Sequence, residues 1–193
     1  MPARICAERP MARLPDCRNL VGVKALRLAL ATALLVATGY LTASALATSP
    51  SEKNLPSLNR QVFAAVNKLR VAHGLIALHN SNALDRSARQ HSLEMGRDGY
   101  FAHSSHDGTP FWKRLQRYYH PYESVGENLV WQSPRLSAGG AMKLWIGSAP
   151  HLKNLLDPQW RDMGVSAVRV VHAPGVYGGR TVVIVTNDFG VRR

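Results

Sequence analysis

Apolar side chains recur at helical intervals soon after Pro56: Val62, Phe63, Val66 and Leu69, with Arg70 on the same stripe. Ser57 is placed to cap this helix and His73-Gly74 to stop it. "LIALH", residues 75–79, reads as a short extended piece. Asn80 or Ser81 caps a second helix, with Leu84, Ala88, His91 and Met95 on one face and Gly99 at its end. Thr109 as cap and Pro110 in the first turn open a third, whose apolar positions are Phe111, Trp112 and Leu115. Ser137 caps a fourth through Ala141, Leu144 and Trp145, and a short turn after Pro150 carries His151 to Leu156. The pattern then changes. "GVSAVRVVH" and "RTVVIVTNDF" are rich in Val, Ile and Thr, and the Pro/Gly stretch "APGVYGG" lies between them, as in a hairpin with a longish loop. Helices early and strands late predict an α+β fold, with helices packed on an antiparallel sheet.

The first 47 residues differ from the rest. Arg4, Arg9, Arg13, Arg18, Lys24 and Arg27 precede an uncharged, mostly apolar run from Leu28 to Pro50 that contains Ala45-Leu46-Ala47. This reads as a secretory signal cut near Ala47, with an uncleaved anchor as the alternative and Met11 as a second candidate start. Either version places the remainder outside the cytoplasm, secreted or tethered at the outer face of the membrane. Residues 48–56 read as a polar linker, and 57–193 as the domain. Both cysteines, Cys6 and Cys17, fall in the leader. The domain therefore has no disulfide framework, no thiolate nucleophile and no thiolate metal ligand, and core burial must hold it together. From Thr48 onward 18 Lys and Arg stand against 10 Asp and Glu. That excess suits anionic lipid or envelope polymer, although only Lys113-Arg114…Arg117 and Arg192-Arg193 cluster. A solvated basic surface is the plainer reading, and no specific nucleic-acid partner is expected.

Polar chemistry concentrates where loops are expected to meet helices. "YFAHSSHDGTPF" carries His103 and His106, "VGENLVW" carries Glu127, and "WIGSAPHLKN" carries Ser148 and His151. Two imidazoles and a carboxylate are a common ligand set for a divalent ion such as zinc, with one position left for water. They equally make a hydrogen-bonded polar cluster that is satisfied without metal. His106, beside the Asp107-Gly108 turn, reads mainly as a solvent-side neighbour, and His91 as a core histidine. Asn128 is expected to lock backbone groups, and Gly126 to serve a backbone need. Trp131, Trp145 and Trp160 read as core. Trp112 and Tyr118-Tyr119, beside Lys113, Arg114 and Arg117, make either a polymer- or lipid-facing patch or an ordinary amphipathic helix. Ser148 and His151 at i, i+3 invite a nucleophile–base reading, but no Gly-x-Ser-x-Gly elbow accompanies them. Asp188-Phe189-Gly190 simply ends a strand.

The blocks "NALDRSARQHSLEMGRDGYFAHSSHDGTPFWKRL", "VGENLVW", "MKLWIGSAPHLKNLL", "MGVSAVRVV" and "VVIVTNDFG", in this order and spacing, resemble the CAP superfamily of cysteine-rich secretory, antigen 5 and pathogenesis-related 1 proteins. The short, cysteine-free bacterial branch is the nearest likeness. The resemblance implies an α-β-α sandwich with helices on both faces of a small antiparallel sheet. It also implies a cleft lined by two His and two acids, mapped here onto His103, Glu127 and His151. The second acid of the family's W-x-x-E stretch is replaced by Ser148. The three remaining groups would hold zinc or another divalent cation with a water. Ser148, Asn128 and His106 are possible contributors. The functional expectation is an exported, monomeric protein whose His/Glu cleft binds a divalent ion or a small or lipid ligand without turnover. A metal-dependent hydrolase, with Glu127 as ligand or base, and an adhesive module for anionic envelope polymers are the alternatives.

Overall fold

The computed structural model describes residues 49–192 in full and, before them, the backbone of residues 4–8. The expectations for residues 1–47, with both cysteines and the cut near Ala47, lie outside the residues described in full. The described elements run β1 (Arg4–Glu8), β2 (Ser51–Asn54), α1 (Pro56–Ala72), β3 (His79–Asn80), α2 (Asn82–Asp98), α3 (Phe111–Gln116), β4 (Tyr122–Gln132), α4 (Ala138–Ile146), α5 (Ala149–Leu155), β5 (Asp162–Ala173) and β6 (Arg180–Arg192). The sheet order is β1-β4-β6-β5-β2, antiparallel throughout, with β3 beside β5 in parallel. β5 and β6 form the expected hairpin, with a 3-10 turn at Gly175–Tyr177 in its loop.

Helices cover both faces, so the α-β-α sandwich holds. Against one face, α1, α4 and α5 bury Val62, Val66, Trp145 and Leu155 on Val130, Val185 and Phe189. Against the other, α2 and α3 bury Leu84, Met95, Phe111 and Leu115 beside Val125, Leu129 and Ile184. Strand alternation makes this division: Val125, Glu127 and Leu129 point to one layer, Gly126, Asn128 and Val130 to the other.

The helix signals hold for the most part, with shifts at the ends. Ser81 caps α2 and Ser137 caps α4 through side-chain bonds to Leu84 and Gly140 N–H. Gly99 ends α2 in the left-handed region at φ 72°, where a side chain would be strained. Ser57, however, lies inside α1: Leu55 takes the cap position, because Pro56 is preorganised for the first helical residue. Pro110, not Thr109, precedes the first residue of α3. The polar linker is not structureless either, since residues 51–54 pair with β5. The largest departure is β4. Glu127 sits in the middle of an eleven-residue strand rather than in a loop before a helix.

Candidate functional site

His103 reaches the sheet because α2 stops at Gly99 and its last turn holds the loop that follows. His91, fully buried on α2, donates from Nε2 to the Ala102 carbonyl at 2.9 Å, one residue before His103. Burial holds the His91 pKa down, so the ring works as a neutral donor. Glu94, one turn on, accepts from the His106 backbone N–H at 3.0 Å. The His106 ring itself is exposed, 5.5 Å from the Tyr100 ring, and takes no part in the buried cluster described next.

His103 Nδ1 donates to Glu127 Oε1 at 2.7 Å. Arg114 Nη2 donates to Glu127 Oε2, and Arg114 Nη1 donates to the His103 carbonyl at 2.9 Å. The three residues thus close a ring: imidazole to carboxylate, carboxylate to guanidinium, guanidinium back to the histidine's own backbone. Glu127 and Arg114 are fully buried, and His103 is 5% exposed. Burial by itself would raise the Glu127 pKa. The Arg114 charge, with His91 and the His103 hydrogen bond, outweighs it and holds the carboxyl at about 2. Directly across the ladder from Glu127 stands Asp188, also fully buried. Burial, then the Glu127 charge, pushes its pKa well above the carboxylate range. The facing acids therefore carry one negative charge between them, on Glu127.

On the other side of β4, Asn128 serves the second histidine. Its Nδ2 donates to the His151 carbonyl at 3.2 Å. Asn154 Nδ2 bridges the Asn128 side-chain oxygen at 2.9 Å and the Glu127 carbonyl at 3.2 Å. Trp160 Nε1 donates to the Asn154 carbonyl at 2.9 Å. Gly126 is needed here for space: a Cβ would lie 2.8 Å from both Asn154 Oδ1 and Trp160 Cζ2. The His151 ring, 3% exposed, shares a 2.7 Å hydrogen bond between Nδ1 and Ser148 Oγ. Ser148 opens α5 without capping its backbone, so its hydroxyl is committed to the histidine. Any metal or ligand contact by either ring would thus be made through Nε2.

Glu127 and His103 are brought into direct contact, and the dipeptide Glu127-Asn128 holds the His103 ring and the His151 backbone from one strand. Among the described residues, no three His, Cys, Asp or Glu side chains are grouped to hold a metal ion. Both Glu127 oxygens are already engaged, so a donor set fitting a cation here would consist of imidazole nitrogens with water rather than of His103, Glu127 and His151 together. Ser148 Oγ on His151 Nδ1 leaves no place for an orienting acid on that nitrogen, which speaks against a Ser148–His151–Glu127 relay.

Sequence reasoning misses Arg114 and Asp188. By its neighbours Arg114 belongs to a basic face with Lys113 and Arg117, yet it points inward. The signal is there: Phe111, Arg114 and Leu115 share one face at i, i+3, i+4. Tyr119 is likewise core, its hydroxyl donating to Asp162 at 2.5 Å. The supposed α3 patch shrinks to Lys113 and Arg117, with Lys113 Nζ 5.4 Å from the Trp112 ring. Trp131, Trp145 and Trp160 are core, as read.

A sequence model of the cysteine-rich secretory protein (CAP) family matches residues 63–185. The chain is similar to the Bacillus subtilis protein YkwD, 29% identical over 122 residues, covering 63% of this chain and 46% of that protein. It is also similar to the B. subtilis membrane protein YlbC, 28% identical over 110 residues, covering 57% and 31%. The chain thus spans less than half the length of either relative. A solved extracellular protein containing an SCP domain from Bacillus anthracis is similar with TM-score 0.58 and 29% identity, over 72% of this chain and 41% of that one. An outer surface protein of Borrelia burgdorferi shares the fold at TM-score 0.60 and 16% identity, over 74% of this chain and 100% of its own.

Proposed function

The chain belongs to the cysteine-rich secretory protein (CAP) family, and from that premise we propose that it is an exported, non-catalytic binding domain that holds a divalent cation, zinc in the first instance, between His103 and His151. The observation that carries this reading is the way each ring is set: Glu127 accepts from His103 Nδ1, and Ser148 shares a bond with His151 Nδ1. A second group fixing one ring nitrogen is the usual support for a histidine that ligates through the other. Glu127 then orients a ligand and neutralises charge, and Ser148 does for His151 what an acid would do in relatives with W-x-x-E. Bound zinc would supply a Lewis-acid centre open to water.

The hydrolase reading is weaker on physical grounds. A general base should titrate near the working pH, whereas Glu127 is held at about 2 and engaged by a guanidinium. Export agrees with neighbours described as extracellular or outer-surface proteins, and secretion or tethering at the outer membrane face follows as part of the proposal. Among the described residues no helix is long and apolar enough to cross a membrane.

Calorimetric zinc titration tests the reading. Binding at micromolar zinc, lost in both His103→Ala and His151→Ala, is the expected result. No heat at micromolar zinc would return the cluster to a purely structural role.

A further inference from the structure

A groove far from the two histidines in sequence runs between the start of α1 and the start of α2, over β5. Its volume is about 550 Å³, and Pro56, Asn59, Arg60, Phe63, Asp85 and Val165 line it. A smaller hollow shares Asn59, Asp85 and Val165 and adds Arg86 and Arg89. A third, also of about 550 Å³, takes up Arg86 and Arg89 again and continues along the outer face of α2 to Arg97. The three share lining residues in succession and so form one trench, with arginines along its length.

The charges in the trench are unequal in availability. Asp85, the acid in its floor, is spent on the fold: Oδ1 accepts from Val165 N–H at 2.8 Å and Oδ2 from Asn80 Nδ2 at 3.0 Å. Arg97 is paired with Glu52. Arg60, Arg86 and Arg89 are exposed, and among the described residues no carboxylate lies within ion-pair distance of them; Arg89 only donates to the Asn54 side-chain oxygen at 3.1 Å. Asn59 has its side-chain oxygen committed to Ala167 N–H at 2.7 Å, so what it offers a ligand is its NH2. The free hydrogen-bonding capacity of the trench is therefore donor-rich and cationic, above an apolar strip at Pro56 and Phe63. Arg86 and Arg89 stand about 4.5 Å apart along the α2 axis, with Arg60 across the gap on α1.

We propose that this trench binds an extended polyanion, a chain with repeated phosphodiester groups, laid across Arg60, Arg86 and Arg89. A single small anion would use one arginine. Three on two helices, along a continuous depression, suit a polymer whose charges recur, and guanidinium forks suit phosphate oxygens. The apolar strip accommodates the carbon backbone between phosphates. This site is independent of the cation site proposed above.

The test is fluorescence anisotropy of the whole protein with labelled poly(glycerol phosphate), at low and at physiological salt. Binding is expected to weaken steeply with salt. Arg60→Gln, Arg86→Gln and Arg89→Gln should each weaken it several-fold, and the triple variant at least about tenfold, with the thermal midpoint and any zinc heat unchanged. Lys113→Gln/Arg117→Gln on α3 should leave it intact. Equal competition by monomeric glycerol phosphate, loss in the α3 variant instead of the trench variant, or binding to anionic vesicles but not to the polymer would each overturn the proposal.

Discussion

Arg114 and Glu127 form an ion pair from which water is excluded on both sides, each side chain being fully buried. The same guanidinium reaches the backbone of His103, whose ring holds the other oxygen of the carboxylate. The pair is therefore both the electrostatic centre of the cluster and the brace that fixes the His103 loop to β4.

Arg114→Met should cost about 3–5 kcal/mol, because it leaves Glu127 as a buried charge with only an imidazole to offset it. Adding Glu127→Gln should recover a large part of that loss, since the uncompensated charge is gone. Chemical denaturation of the single and double variants measures both. Equal stability of Arg114→Met and the native protein would mean that the guanidinium is not compensating Glu127.

The facing acids give opposite pH dependences. Glu127 is depressed from 4.5 to about 2, so its stabilisation is complete above its unfolded value and is lost as pH falls from about 4.5 through 2. Asp188 is raised above 3.8, so the folded state holds its proton longer than the unfolded one, and stability declines as pH rises from about 3.8 through the folded value. Asp188→Asn keeps the shape and removes the second slope. It should raise stability at pH 7 by at least about 1 kcal/mol while leaving the acid limb in place. Urea midpoints from pH 3 to 9 check this, and an unchanged neutral-side slope would refute it.

Much of this was legible from sequence, and the failures have physical causes. The helix caps at Ser81 and Ser137, the stop at Gly99 and the β5–β6 hairpin are local features whose signals lie within a few residues. β4 was invisible because both its faces are buried from Val125 to Val130, so apolar and polar residues do not alternate, and Gly126 and Asn128 disguise it further. Arg114 was hidden by its neighbours: a cation between Lys113 and Arg117 reads as solvated until a buried acid requires it. Asp188 meets Glu127 only through strand register, which cannot be read before β4 is known. The contact between His103 and Glu127 came from family resemblance; a gap of 24 residues alone did not select it.

Gly126→Ala should be costly although no torsion forbids it. The new methyl would press on Asn154 Oδ1 and Trp160 Cζ2, both at 2.8 Å. Neither can retreat easily, because Trp160 is fully buried and Asn154 is bonded to Glu127, Asn128 and Trp160. A loss of about 1–3 kcal/mol is expected, with a change in tryptophan fluorescence as Trp160 shifts. A neutral effect on the thermal midpoint would show that the Asn154 bridge yields readily.

Ser148 separates a binding role from a structural one. If its hydroxyl only satisfies His151, Ser148→Ala removes one half-buried hydrogen bond and costs about 0.5–1.5 kcal/mol, with nothing else altered. If it sets the ring for a cation, the same change should also weaken zinc by about tenfold or more, as loss of an orienting partner does elsewhere. Ser148→Asp makes the contrast sharper. A carboxylate there would accept from His151 Nδ1 more strongly than a hydroxyl, and it stands at the cap position of α5, where an acid is tolerated. Tighter zinc in Ser148→Asp and weaker zinc in Ser148→Ala, at similar fold stability, is the expected pair of results. Calorimetry and thermal melts run side by side read both quantities. Zinc affinity indifferent to both substitutions would detach Ser148 from the proposed site and leave it as a simple partner of His151.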